Sequence, residues 1–243
     1  MIAVLGLLAA ALSIAVIWPQ VWLSCRHGRT LGLSPTSTWL SVALNLCWLS
    51  FGLLTGDAAQ ILTHVVVGAG NTAVLAALLL SQPHLRSPRM LIRTAAGGAG
   101  LAALALGSLA SVALLDAAPA VVAATLGSVI GLVGATAALL QPLRLVLDPG
   151  RDLSGLSPTR WQLGAGSCAM WTTYGLLIAQ PMVWLSAGFG LGCAVVMCAL
   201  LCPGRSLQSV GVLTELRPAM SATARLARGH VRDAALRPAL AAA

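Results

Sequence analysis

Seven apolar runs, at about residues 2–24, 37–55, 58–81, 94–115, 119–143, 160–178 and 181–202, divide this chain. Each is close to the roughly 20 residues that an α-helix needs to cross the hydrocarbon of a bilayer. A soluble core of this size cannot hide so much apolar surface. Of 243 residues, 58% are hydrophobic and 8% are charged, where soluble domains carry roughly 25% charged residues. The expectation is an all-α integral membrane protein with seven transmembrane helices. The first run starts almost at Met1 without a basic n-region, so it reads as a retained span and not as a cleavable signal peptide.

Orientation follows from arginine, because the chain has no lysine. Arg26 and Arg29 follow the first run, Arg86, Arg89 and Arg93 follow the third, Arg144, Arg151 and Arg160 surround the loop between the fifth and sixth, and the rest lie beyond the seventh. All fall on one side of a seven-span scheme, and the opposite connections carry only Asp57 and Asp116. The positive-inside rule then puts the N-terminus outside and the C-terminus in the cytoplasm of a cell membrane. The net charge of +8 is accounted for by this topology, and no nucleic-acid partner is expected. Six cysteines, Cys25, Cys47, Cys168, Cys193, Cys198 and Cys202, form no CxxC pair and lie in or at the ends of spans, where small apolar packing is their ordinary use. Neither disulfides nor a metal is expected.

The chain also repeats itself. An offset of 123 residues aligns 15–54 with 138–177 without a gap, matching GLSPT at 32–36 with 155–159, Pro19 with Pro142, Trp48 with Trp171, and FGLL at 51–54 with YGLL at 174–177. Two three-helix units follow, at 1–83 and 119–202, joined through a loop and a linker helix at 84–118 and trailed by a basic tail at 203–243. Because three spans plus one is an even number, both units enter the membrane in the same direction. They are then related by an axis along the membrane normal, and substrate sites in such proteins lie at the repeat interface. The glycines at 97, 98 and 100 lie in the linker span and read as helix packing.

"WPQ" in the first span, the step from Pro19 to Ser34, "WLSFG" at 48–52 and "WTTYG" at 171–175 together resemble the PQ-loop superfamily, and within it the SWEET and SemiSWEET sugar transporters. The resemblance covers about residues 3–202. It implies a transporter that works by alternating access, with Pro19 and Pro142 as hinges. Proline lacks an amide proton and clashes with the carbonyl four residues earlier, so Pro19 weakens the first span near one end. Gln20 can satisfy backbone groups freed there, and in the second copy Gln141 precedes Pro142.

Polar side chains at membrane depth face a bundle interior or a wet cavity. Gln60, His64, Gly68 and Asn71 share one helical face, as do Ser41, Asn45, Trp48 and Gly52. Trp48 and Trp171, related by the repeat and roughly 10 Å deep at 1.5 Å per residue, should face each other and offer aromatic surface to a flat substrate. The candidate solute-binding residues are Trp48, His64, Asn71, Trp171 and Asn45, joined by Ala187 as the repeat partner of His64 and through what the resemblance implies. Relatives in the SWEET group place a pocket asparagine twelve residues after the glycine of the WxxYG motif; counting from Gly52 gives His64, and from Gly175 gives Ala187. One wall is polar and the other apolar, so a small or amphipathic ligand is favoured over a symmetric disaccharide. No carboxylate lies within a span, which favours facilitated diffusion over proton coupling, and His64 is the one membrane-depth group whose ordinary titration falls near neutral pH.

The expected function is thus a facilitative uniporter of a small polar solute, a sugar or similar. A seven-helix receptor and an amino-acid type of PQ-loop transporter stand as the rivals. No nucleophile–base pair, phosphate loop or metal cluster argues for an enzyme, and no cofactor is expected. The expected partners are the solute and the lipid bilayer, and assembly into a homo-oligomer stays open.

Overall fold

The computed structural model describes residues 1–31, 33–147 and 158–201, with backbone only at 140–141, 144–147 and 158–160. The Gln141 amide, Asp148, Asp152, Cys202, most of the second GLSPT segment and the tail at 203–243 lie outside the described residues. Among the described residues seven α-helices run in order: α1 (Ile2–Val21), α2 (Pro35–Thr55), α3 (Ala58–Ser81), α4 (Pro88–Leu115), α5 (Pro119–Leu147), α6 (Pro158–Leu177) and α7 (Pro181–Leu201). Six are long and apolar enough to cross a membrane. The exception is α6, whose Thr172, Thr173 and Gln162 lower its hydropathy.

Proline opens five of these helices, at Pro35, Pro88, Pro119, Pro158 and Pro181. Its missing N–H is one the first turn leaves unbonded in any case, and its fixed φ suits a helix start. This explains why α4 begins at Pro88, several residues before its apolar run. The tight turn between α2 and α3 is built from Gly56 at φ +67 and from Asp57, whose Oδ1 accepts from Ala59 N at 2.9 Å and Gln60 N at 3.2 Å. The first orphan donors of α3 are thereby satisfied.

The packing order is the same in both halves. In the first unit α3 lies between α1 and α2, and in the second α7 lies between α5 and α6. The units meet reciprocally, α1 against α6 and α2 against α5, as a pseudo-two-fold axis requires. Linker α4 packs along α2 and touches α5. Gly98 allows this, since a Cβ there would meet the Trp39 carbonyl oxygen at 3.1 Å, whereas Gly100 faces open space. Gly52 and Gly175, the glycines of the two aromatic motifs, do the same for helix pairs α2/α3 and α6/α7: a Cβ on Gly175 would sit 2.7 Å from Trp184 N.

One buried cluster, including Ala9, Cys47, Phe51, Ala105, Leu126, Ile130, Trp171 and Val183, runs across both units and the linker. The outer surface is as apolar as the core: Leu80, Ile92, Leu114 and Leu132 are each more than two-thirds exposed. A patch of that extent is unstable in water and stable in lipid.

The surroundings of Pro19 differ from expectation. Helix α1 passes through Pro19 and then widens into a π-helical turn at Trp22–Arg26. Gln20 does not bond the freed backbone; its Nε2 donates to Ser24 Oγ at 2.8 Å, and Ser24 is buried. The local adjustment that accommodates proline is thus largely a change of helical winding, a recognised site of kinks. In α5, Pro142 is buried inside a helix that continues to Leu147.

Candidate functional site: a cavity on the repeat axis

A cavity of ≈ 360 Å³ lies between the two units. Its lining contains six pairs of residues exactly one repeat apart: Asn45 with Cys168, Trp48 with Trp171, Gln60 with Val183, Thr63 with Ser186, His64 with Ala187, and Val67 with Gly190. Equivalent positions from both copies converge on a cavity only if it straddles the axis that relates them. Of the residues expected at a site, Asn45, Trp48, His64, Trp171 and Ala187 are brought together here. Asn71, buried on α3, is outside the lining. Its face continues past Gly68, which packs against Asn45 Cβ, so Asn71 lies a turn beyond the cavity.

The six pairs show how the two walls diverged. Asn45, Gln60 and His64 in the first unit oppose Cys168, Val183 and Ala187 in the second. His64 is held on three sides. Its Nδ1 lies 3.1 Å from Asn45 Oδ1, its Nε2 lies 3.0 Å from Gln60 Oε1, and its ring stacks on Trp48 at 5.9 Å and 14°. Asn45 is itself oriented, because its Nδ2 donates to the Ser41 carbonyl at 2.8 Å. Its oxygen must then face the histidine, so Nδ1 carries a proton and donates to it.

The two tryptophans are alike in packing and unlike in bonding. Trp48 meets Phe51 edge-on at 5.6 Å and 77°, and Trp171 meets Tyr174 at 5.5 Å and 82°. Trp171 Nε1 donates to Ser13 Oγ at 2.9 Å, and the Ser13 hydroxyl also contacts Ser167 Oγ and the Ala9 carbonyl. The repeat counterpart of Ser13 is Thr136, which is exposed and donates to its own helix at Leu132 O. Trp48 Nε1 therefore has no such anchor and no partner among the described residues. Ser13 was not singled out in the sequence: a single serine in an apolar span carries no periodic signal.

At the end of the bundle that carries Asp57 the two units are in direct contact. Tyr174 donates its hydroxyl to Asp57 Oδ1 at 2.9 Å, tying α6 of the second unit to the α2–α3 turn of the first. Tyr174 also packs against Gly6, and Phe51 against Gly127, so closely that a Cβ on either glycine would come within 3.0 Å of neighbouring side chains. Asp57 Oδ2 is buried and unpartnered. A phenol where the first copy has phenylalanine, opposite an acidic turn, was the one sequence signal for this clasp.

No curated protein matches the chain significantly. Residues 1–61, which span α1, α2 and the first turn of α3, match the family model described as the PQ loop repeat. The WPQ motif in α1 lies inside that match, so the first unit of this all-helical, lipid-compatible bundle is similar to the PQ loop repeat, which supports placing the chain with the PQ-loop superfamily.

Proposed function

We propose that this protein is a facilitative transporter that moves a small, uncharged polar solute, sugars among the candidates, by alternating access in the cell membrane, with its N-terminus outside and its C-terminus in the cytoplasm. The observation that carries the reading is the cavity on the repeat axis: residues of both units line it, so any rocking of one unit against the other changes which side it opens to. The Tyr174–Asp57 clasp and the Phe51–Gly127 and Tyr174–Gly6 contacts supply the closed outer gate of an inward-facing state. Among the described residues the lining includes no charged side chain, which suits uniport of a neutral solute better than ion-coupled transport. The likeness to SWEET transporters in the WPQ and WxxYG/WxxFG segments supports the same reading.

The test is uptake of a radiolabelled panel of sugars, polyols and amino acids into proteoliposomes containing protein shown to be folded. Saturable uptake that equilibrates without an ion gradient is the expected result. If no solute enters, the reading fails in favour of a ligand-binding receptor on the same fold.

A further inference from the structure

The geometry points to a narrower solute class: a neutral, flat ring that carries hydrogen-bond donor and acceptor on one edge, as a cyclic amide or imide does, with Gln60 and Trp48 reading that edge and His64 orienting Gln60. This rests on the transport reading for its route across the membrane, though not for its binding chemistry.

The polar groups that line the cavity are mostly engaged by the protein. Ser13 bonds Trp171, Ser167 and Ala9; Thr63 donates to the Ala59 carbonyl at 2.7 Å; Ser186 donates to the Val183 carbonyl at 3.1 Å. Both ring nitrogens of His64 face amides. What remains is short. Among the described residues Thr63 and Ser186 have spent their protons on their own helices and keep only acceptor lone pairs, so the free donor is the Trp48 indole N–H, and Gln60 offers whichever end of its amide is turned away from His64.

That end follows from the tautomer. Asn45 is held by Ser41, so the imidazole proton sits on Nδ1 and, with the ring uncharged, Nε2 accepts. Gln60 must then give Nε2 an N–H, by a half-turn of its terminal amide, and its carbonyl oxygen is left for the ligand. His64 is a positioning residue whose own polar atoms are occupied. The pair left open is one donor and one acceptor on the first unit, beside the flat shelf of stacked Trp48 and His64.

Across the cavity stand Val183, Ala187, Phe189 and Ile130. A ring with hydroxyls all round its rim would turn several of them to this wall, stripped of water with only the Ser186 lone pairs to bond. A zwitterion would bury two charges against a lining that has none among the described residues. A planar ring with one carbonyl toward Trp48 N–H, the adjacent ring N–H toward Gln60 Oε1 and its C–H edge toward Val183 and Ala187 strands fewer polar groups than a sugar does: a simple cyclic amide none, and uracil one carbonyl and one N–H.

The probes are tritiated uracil, its 1,3-dimethyl derivative, glucose and leucine, each measured for binding to the purified full chain in nanodiscs and for uptake in proteoliposomes. Uracil is expected to bind at least tenfold more tightly than the other three; dimethyluracil keeps both carbonyls and loses the ring N–H donors that Gln60 requires. Gln60→Val, which copies the second unit, should bring uracil down to the dimethyluracil level. Trp48→Phe, which keeps the ring and should fold normally, should weaken both about fivefold to tenfold. His64→Leu should collapse the uracil-to-dimethyluracil ratio while leaving dimethyluracil binding within threefold; a merely structural histidine would weaken both equally. Glucose or leucine binding as tightly as uracil overturns the proposed class and leaves the transporter standing. Uracil binding without uptake upholds the class and removes the transporter. No binding by any probe to folded protein overturns both.

Discussion

Ala179 sits at φ +51 in the α6–α7 turn, at the position where the first unit has Gly56 at φ +67. A left-handed conformation costs an alanine its Cβ clash and costs glycine nothing. Ala179→Gly should therefore stabilise the second unit by about 0.5–1 kcal/mol despite the entropy of a freer unfolded chain, read as a rise in melting temperature in detergent. A lower melting temperature would mean that the second turn does not hold the conformation of the first. His64 is a residue whose loss reaches beyond itself, because Asn45 and Gln60 both point at it. His64→Leu leaves two amides facing a leucine, at roughly 1–3 kcal/mol for each buried group without a partner. Transport is expected to drop sharply at unchanged expression and insertion, and parental flux in this variant would reduce the histidine to packing.

The informative elements are the two proline helices and the α6 helix that bears the clasp. Pro19 lies exposed in α1 with a π-helical turn after it, and Pro142 lies buried in α5, so equivalent prolines occupy unlike surroundings. Replacing Pro19 by Ala restores a backbone donor and should stiffen α1, slowing exchange between inward- and outward-facing states with less effect on equilibrium binding. Parental rates in both Pro19→Ala and Pro142→Ala would make the prolines static kinks. On α6, Tyr174→Phe deletes one hydrogen bond to Asp57 and little else. Such a bond contributes about 1.5–3 kcal/mol when its partner is charged, enough to raise the population opened at that end tenfold or more. With Cys168 kept as the single thiol, its labelling by an impermeant reagent from outside should accelerate in Tyr174→Phe, and an unchanged rate would deny the clasp its gating role.

For the molecule as a whole, two three-helix units around a common axis require both acidic turns to lie on the same side. A reporter fused after Ala243 should read cytoplasmic, and reporters inserted at Asp57 or Asp116 should read external. A cytoplasmic Asp116 would invert the second unit, and with it the parallel relation that puts six repeat-related pairs around one cavity. The lipid-facing surface explains why a chain this apolar needs no large core: its stability in the bilayer comes from close helix contacts at Gly6, Gly52, Gly127 and Gly175 and from satisfied polar groups.

Much of this architecture was legible from the residues alone, because hydrocarbon thickness imposes a length on each apolar run and a gene-scale repeat imposes symmetry on their packing. Depth combined with helical face led to Trp48, Asn45 and His64, the repeat to Trp171, and the count that the SWEET resemblance implies to Ala187, and the structure places all five around one cavity. The same reasoning carried Asn71 along, since a face read down a straight helix does not show where the cavity stops. Bonding between helices was out of reach. That Ser13 holds Trp171 while Trp48 is free and that Tyr174 reaches Asp57 depend on helices far apart in the chain coming within 3 Å of one another, and that Gln60 rather than His64 has capacity to spare depends on α2 bringing Asn45 to the imidazole. Periodicity fixes which side of a helix a residue occupies; only the packed bundle decides which hydrogen-bonding groups are already taken and which are left for a solute.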